Sequence, residues 1–190
     1  RDGRVIFFVA DVSGHGIAGA IFTALVKMGF RNALHSSEDP GAILTRMNND
    51  LCNNLPVESF VTMFCGVVDP TEDVMRYANA GHPRPYIVKS GNISYLEGSD
   101  PFLGPVRDFS YLTRSISLRD MDSLVVYTDG TQDIYDTSGN HVTEEFFRNL
   151  VSKNLPGDKW IQNFMDTVDG REFRVIDDCT VMFLEFGERA

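Results

Sequence analysis

The segment Val5-Ile6-Phe7-Phe8-Val9-Ala10-Asp11-Val12-Ser13-Gly14-His15-Gly16 sets the architecture of the first half of the chain. Its six leading apolar residues predict a strand that is covered on both faces. The small residues after Asp11 lead into helical spacing, so the chain passes from strand to helix at a carboxylate. A core needs an apolar residue at that position, and the question is therefore what Asp11 binds.

Two helices are predicted after this segment. The first runs from Gly14 to about Leu34. The second begins with Asp39 as its cap and Pro40 at its first helical position, and it ends near Asn53-Asn54. Apolar residues at three- and four-residue spacing should face the core. They are Ile17, Ile21, Ala24, Leu25 and Met28 in the first helix and Ile43, Leu44, Met47 and Leu51 in the second.

The rest of the chain is rich in predicted strands. They are Phe60–Asp69, Val74–Ala80, Pro85–Lys89, Ile93–Leu96, Tyr111–Leu118 and Leu124–Thr128. Two helices starting at Thr143 and Pro156 follow, and the strand Thr180–Phe186 comes last. Hairpin-like connections predict mainly antiparallel sheets with helices on the outside, an α+β fold. A doubly wound parallel sheet would need helices between successive strands.

Length, charge and cysteine content narrow the class of protein. The 190 residues predict a single domain, and the net charge of −10 without a basic stripe argues against a nucleic-acid binder. Cys52, Cys65 and Cys179 are odd in number and widely spaced, which indicates free thiols in a reducing compartment. We find no signal peptide and no apolar run long enough for membrane insertion, so the expected location is the cytoplasm.

The first four residues of the sequence have the composition of a turn. Arg1-Asp2-Gly3-Arg4 is typical of a hairpin turn, which needs a strand on its other side. The sequence therefore predicts that residues 1–190 are a fragment whose first strand was left out or lies in a larger protein.

Three aspartates flank the most apolar strands. Asp11 and Asp129 follow their strands and Asp177 precedes its strand, so an antiparallel arrangement could bring all three to one edge. Clustered carboxylates repel one another unless a cation joins them, and oxygen ligands favour Mg²⁺ or Mn²⁺. Any one of these residues could instead be an ordinary turn former. The unusual strings around them favour a metal site.

Four motifs occur in a fixed order. They are Asp11-Val12-Ser13-Gly14-His15-Gly16, Ala78-Asn79-Ala80-Gly81-His82-Pro83, Val126-Tyr127-Thr128-Asp129-Gly130 and Asp177-Asp178-Cys179-Thr180. In this order and spacing they resemble the bacterial PP2C-type serine/threonine phosphatases, in particular the SpoIIE/RsbU-like branch. The resemblance covers nearly the whole chain.

The resemblance implies a fold and a reaction. The fold would be an α-β-β-α sandwich of two mainly antiparallel sheets flanked by helices. The reaction would be hydrolysis of phosphoserine or phosphothreonine by a hydroxide bound to two Mn²⁺ or Mg²⁺ ions. The substrate would be a regulatory protein, usually a STAS-type anti-sigma-factor antagonist. An upstream sensor or receiver domain is implied, and a homodimer is compatible with the family.

The resemblance also assigns residues. Asp11 would bridge the two metals, and the backbone carbonyl of Val12 would bind one of them. Asp129 and Asp177 would coordinate the other, with Asp178 as their neighbour. His15 could donate a proton to the leaving alkoxide, or it could hold the glycine-rich turn, and we favour the structural role slightly.

The sequence departs from the family pattern in two places. A Gly-Gly-Asp on the preceding strand, which supplies a further acidic residue, is missing. Gln132 stands where the family commonly has Glu.

Three further residues have open roles. His82 could face the site from its loop, and Arg84 or Arg107 could touch phosphate.

A second class of function stays open. The missing acidic strand and Gln132 would also suit a catalytically weak, phosphatase-like module that binds a protein partner. A kinase-like or nucleotide-binding enzyme has little support, because the chain has neither a P-loop nor a phosphate-cradling lysine.

Overall fold

The computed structural model describes residues 3–56, 58–131, 133–141, 144–152, 157–169 and 173–187. The chain divides into two compact units. The first unit comprises Arg1–His82 and Glu97–Leu118, and the second comprises Pro83–Leu96 and Arg119–Ala190. Each unit has its own four-stranded antiparallel sheet and a pair of helices, which confirms the mixed α/β class with antiparallel sheets. A single domain over residues 1–190 stays a prediction.

Each unit is built from two separate stretches of the chain. In order, the elements are β1 (Val5–Val12), α1 (Gly16–Leu34), α2 (Pro40–Asn54), β2 (Val61–Asp69), β3 (Val74–Ala80), β4 (Tyr86–Lys89), β5 (Asn92–Tyr95), β6 (Arg114–Ser117), β7 (Ser123–Tyr127), β8 (Ile134–Asp136), α3 (Glu144–Ser152), α4 (Gly157–Asp169), β9 (Phe173–Val175) and β10 (Val181–Glu185). The first sheet has the order β1-β2-β3-β6, the second has β10-β7-β4-β5, and β8 pairs with β9.

Sequence and structure differ most between β5 and β6. The predicted strand Tyr111–Leu118 is wrong in its first half, because β6 begins at Arg114. The backbone N–H of Tyr111 donates to Thr45 Oγ1 on α2 (3.0 Å), and its hydroxyl donates to the Phe102 carbonyl (3.0 Å). These bonds take the place of a strand ladder. The short pair β8 and β9 was not predicted.

Helix α2 follows its sequence signals. Asp39 caps it by accepting a hydrogen bond from the Ala42 N–H on Oδ1 (2.9 Å), and Pro40 occupies its first turn. Thr113 also donates to Asp39 Oδ1 (2.8 Å) and accepts from the Gly41 N–H (2.8 Å). The predicted apolar face is buried, with Ile43, Leu44, Met47 and Leu51 at most 4% exposed.

Helix α1 buries a different face from the one predicted. Its buried residues are Gly19, Val26, Phe30 and Ala33, and the Phe30 ring lies 4.2 Å from that of Phe8 on β1. Of the predicted face, Ile17, Ile21 and Met28 are 84%, 55% and 63% exposed. Ala24 is exposed and Leu25 half-buried. The helix carries apolar residues on more than one side, so spacing alone does not identify the packed stripe.

The composition of α1 also satisfies a simple membrane criterion. Among the described helices it is long and apolar enough to cross a bilayer, and 22% of its apolar window is buried. Core helices of soluble proteins satisfy the same criterion, so this observation is weak evidence for a span.

Strand β1 contacts apolar residues on both faces, although it lies at the edge of its sheet. Ile6, Phe8, Ala10 and Val12 pack against the cluster that α2 and part of α1 form. Phe7 and Val9 are buried on the opposite face, while Val5 is 52% exposed. The prediction of a strand covered on both faces therefore holds for its centre and not for its first residue.

The second unit has an aromatic core. Trp160 and Phe164 on α4 stack with ring centroids 5.6 Å apart, and Phe147 on α3 contacts both of them edge-on. Trp160 and Phe164 are buried, and the ring centroids of Phe173 and Phe146 lie 5.0 Å apart. The predicted helix starts at Thr143 and Pro156 lie outside the described residues, as do Arg1 and Asp2 of the predicted hairpin.

All three cysteines are free, as predicted. Cys65 is buried in β2, and Cys52 and Cys179 are half-buried. Burial raises the pKa of the Cys65 thiol to about 12 and that of Cys179 to about 11.

Candidate metal centre

Asp11 lies inside β1 rather than after it, because the strand continues to Val12. The ladder pairs Asp11 with Thr62 and Val12 with Val61. Asp11 Oδ1 accepts a hydrogen bond from the Val12 N–H (2.8 Å). Beyond the strand, the Ser13 N–H donates to the Phe60 carbonyl (3.0 Å) and Ser13 Oγ accepts from the Phe60 N–H (2.8 Å). The backbone around the carboxylate is therefore fixed on both sides.

The glycines after Ser13 are required by backbone geometry. Gly14 and Gly16 have φ values of +97° and +70°, a region that other residues adopt only with strain. This backbone conformation explains why both positions are glycines. The turn that they form places the first residue of α1, Gly16, three residues after Ser13, and the first N–H groups of the helix lack helical partners.

His15 is exposed at the N-cap position of α1, and its side chain makes no capping hydrogen bond. The favoured interpretation, that His15 holds the glycine-rich turn, stays a prediction. An exposed imidazole at a helix start is accessible to a bound substrate. Its role as a proton donor stays a prediction.

In the second unit, the loops that carry Asp129 and Asp177 touch. Asp129–Thr131 forms a single 3-10 turn directly after β7. Thr128 is buried, and its backbone N–H donates to the Thr180 carbonyl (3.0 Å) while its hydroxyl accepts from the Thr180 N–H (2.9 Å). A Cβ atom on Gly130 would overlap the carbonyl oxygen of Asp178. A glycine at this position therefore lets the two loops approach each other.

The carboxylates on these loops are exposed. Asp177 Oδ1 accepts from the Asp178 N–H (2.8 Å), which holds the side chain against its own loop. Within the described parts of the chain, no group of three or more His, Cys, Asp or Glu side chains is placed so that it could hold a metal ion. Asp11 belongs to the first unit and Asp129, Asp177 and Asp178 to the second, so a site built from all of them stays a prediction.

The donor chemistry of these residues fits a hard cation. Asp11, Asp129 and Asp177 offer carboxylate oxygens, and Val12 offers a backbone carbonyl at the end of β1. Mg²⁺ and Mn²⁺ prefer such oxygen ligands, whereas zinc sites usually contain nitrogen or sulfur. The residue types fit the implied metal.

His82 is buried, with 2% of its surface exposed. Its Nδ1 lies 2.9 Å from Thr62 Oγ1, and Thr62 is the cross-strand partner of Asp11. Sequence reasoning did not single out Thr62, because its importance depends on strand register. Pairing the strand that contains Asp11 with Phe60–Asp69 would have revealed it.

The two arginines proposed as phosphate contacts have other neighbours. The Arg84 guanidinium lies 4.6 Å from the centre of the Tyr95 ring, and Arg107 donates to Asn53 Oδ1 (2.9 Å). Neither contact tests whether these residues touch phosphate. Gln132 lies outside the described residues.

A known protein family and several known proteins are similar to this chain over most of its length. A family model described as Stage II sporulation protein E (SpoIIE) matches residues 1–187. The phosphoserine phosphatase RsbU of Bacillus subtilis (strain 168) is 25% identical over 181 residues, which are 93% of this chain and 54% of RsbU. The chain therefore spans about half the length of this relative.

Solved structures share the fold. The SiaA-PP2C domain of Pseudomonas aeruginosa superposes with a TM-score of 0.81 at 20% identity, over 98% of this chain and 81% of that one. RsbX, solved in complex with magnesium, gives a TM-score of 0.67 at 18% identity, over 96% of this chain and 81% of that one. The match over residues 1–187 and the shared fold lead to one conclusion: the chain belongs to the SpoIIE family of PP2C-type phosphatase domains.

Proposed function

We propose that the chain is a metal-dependent protein phosphatase that hydrolyses phosphoserine or phosphothreonine on a regulatory protein. The observation that carries this proposal is the contact between the Asp129 and Asp177–Asp178 loops, since Gly130 permits it and two predicted ligands are thereby brought to neighbouring loops. Family membership and the name of RsbU, a phosphoserine phosphatase, support it.

The proposed cations are two Mn²⁺ or Mg²⁺ ions, held by Asp11, the Val12 carbonyl, Asp129 and Asp177, with Asp178 beside them. When bound, they would supply an activated water and neutralise charge on the phosphoryl oxygens. The presence of magnesium in the RsbX structure supports this choice. The net charge of −10 gives a further reason, because a phosphorylated substrate approaching these carboxylates is repelled unless cations intervene.

The chain's own residues would orient the reaction. The hydrogen bond from the Val12 N–H fixes one oxygen of Asp11, and the Ser13–Phe60 pair fixes the end of β1. We also propose that His15, exposed at the start of α1, gives a proton to the departing serine or threonine oxygen.

The proposed substrate is a phosphorylated STAS-domain protein, and the proposed setting is the cytoplasm. A sensor or receiver domain would precede this domain in a longer protein. A homodimer is the proposed assembly, without nucleic acid or membrane insertion. These proposals follow from the SpoIIE/RsbU-like resemblance and from the half of RsbU that the chain covers.

A catalytically weak binding module is the second candidate. The observation that favours it is that no described group of three candidate ligands is placed to hold a metal ion. Such a module would bind a phosphoprotein without turning it over.

Phosphopeptide hydrolysis with and without Mn²⁺ tests the proposal. Asp11→Asn and Asp129→Asn should each lower kcat/KM by at least about 100-fold. Asp136→Asn is the control, since this carboxylate accepts from the Ser138 and Asn140 N–H groups in a turn after β8. Absence of turnover with any divalent ion, together with phosphopeptide binding that Asp129→Asn leaves unchanged, would favour the binding module instead.

A further inference from the structure

A line of polar groups runs from Asp11 into the first sheet. Val61, Met63 and Cys65 of β2 and Ala10 and Val12 of β1 belong to or pack against the core cluster on the helix side. Side chains alternate along a strand, so Asp11 and Thr62 both point to the opposite face. They are direct partners in the antiparallel ladder, which places their Cβ atoms about 5 Å apart.

His82 continues this line from Thr62. Its Nδ1 lies 2.9 Å from Thr62 Oγ1. The hydroxyl of a threonine carries a single hydrogen, so the tautomer of His82 decides where that hydrogen goes. If Nδ1–H is the donor, the Thr62 hydroxyl keeps its own hydrogen for an acceptor on the Asp11 side. The opposite tautomer would use that hydrogen and turn oxygen lone pairs toward the carboxylate.

The backbone of His82 is held by the side chain of Asn79. The buried Asn79 side chain accepts from the His82 N–H (2.8 Å) and donates to the His82 carbonyl (3.0 Å). Gly81 has a φ of +65°, and the Phe102 ring fills the space that a Cβ there would need. The backbone of His82 is therefore held at both of its polar groups, next to the Thr62 hydroxyl that its ring contacts.

We propose that His82 is a positioning residue, which acts through the Thr62 hydroxyl to orient the Asp11 carboxylate for cation binding. This inference rests on the proposed function and gives the Gly81-His82-Pro83 motif a role that does not require contact with substrate. Partners that orient a ligand in this way commonly change metal affinity about 10- to 100-fold when they are removed.

Mn²⁺ titration by calorimetry, without substrate, tests the inference. Thr62→Val keeps the shape and removes the hydroxyl, and it should raise the Kd for Mn²⁺ by about 10-fold or more. Thr62→Ser keeps the hydroxyl and should restore a Kd close to that of the wild type. Thr45→Val is the matched control, since Thr45 is half-buried and its hydroxyl accepts from the Tyr111 N–H and donates to the Gly41 carbonyl, away from Asp11. It should lower stability without changing the Kd.

His82→Phe provides the second arm, because it keeps a ring of similar size and removes Nδ1. His82→Phe should raise the Kd only through the Thr62 hydroxyl. The double variant should therefore bind Mn²⁺ no more weakly than Thr62→Val alone. Unfolding midpoints measured in EDTA separate loss of folding from loss of affinity.

The outcomes distinguish the two proposals. If the wild type binds Mn²⁺ and Thr62→Val binds it equally well, the positioning role is refuted while the proposed function stands. Additive effects of the two substitutions would also refute it. If the wild type binds neither Mn²⁺ nor Mg²⁺, the proposed function fails and this inference fails with it.

Discussion

Asn48→Ala should detach the loop before β6 from α2. Asn48 is fully buried, and its amide donates to the Val106 carbonyl (2.8 Å) while its Oδ1 accepts from the Gly104 N–H (2.9 Å). Each such hydrogen bond contributes about 1 kcal/mol, and the half-buried Gly104 N–H would lose its acceptor. Val106 is 43% exposed, so water can replace the bond to its carbonyl. We therefore expect the free energy of unfolding to fall by about 2–3 kcal/mol.

Urea unfolding followed by circular dichroism measures this loss, provided that the slope with denaturant stays the same. Asn53→Ala is the control, because Asn53 is exposed and its side chain accepts from Arg107 at the surface. It should change the free energy by no more than about 0.5 kcal/mol. A loss below about 1 kcal/mol for Asn48→Ala, or one equal to the control, would show that the loop is held by other contacts.

Two further substitutions follow from the structure. Gly81→Ala should lower the free energy of unfolding by roughly 1 kcal/mol more than Gly91→Ala, as measured by thermal unfolding. Both glycines have positive φ, but only Gly81 faces the Phe102 ring. Equal losses would mean that the ring moves aside freely. The hydrogen bonds from Lys89 and from the Ser90 N–H lower the pKa of Asp122 below its ordinary value of 3.8. The stabilising effect of the ionised carboxylate is therefore present above that value and is lost as pH falls through the lowered pKa. Asp122→Asn should therefore weaken the fall in stability between about pH 5 and pH 3. Asp120→Asn, which changes an exposed neighbour, should leave that fall unchanged. Identical acid profiles for Asp122→Asn and the wild type would contradict this explanation.

Local signals predicted the parts of the fold that local chemistry determines. The cap at Asp39, the proline after it and the face of α2 required only spacing and residue type, and all were confirmed. The face of α1 was wrong because an almost uniformly apolar helix gives several stripes with the same period. The start of β6 was missed because Tyr111 bonds to a helix side chain 66 residues earlier.

The same distinction applies to the candidate metal centre: local sequence could identify some of its residues, and others depend on distant contacts. Asp11, Asp129 and Asp177 could be chosen because each stands beside an apolar strand in an unusual string. Thr62 could not, because it gains its meaning from its register opposite Asp11 and from a histidine 20 residues later. Gly130 was part of a motif, yet the reason for a glycine there is a carbonyl nearly 50 residues away.

The cap of α2 has a consequence for the order in which the chain folds. Asp39 can accept the Ala42 N–H as soon as the helix nucleates, but Thr113, which bonds both Asp39 and Gly41, is more than 70 residues away in sequence. Closing a loop of that length carries an entropic cost before any contact rewards it. The first turn of α2 should therefore form early but remain frayed. Its amide protons should become protected from exchange only late, when the strand after Thr113 joins the sheet.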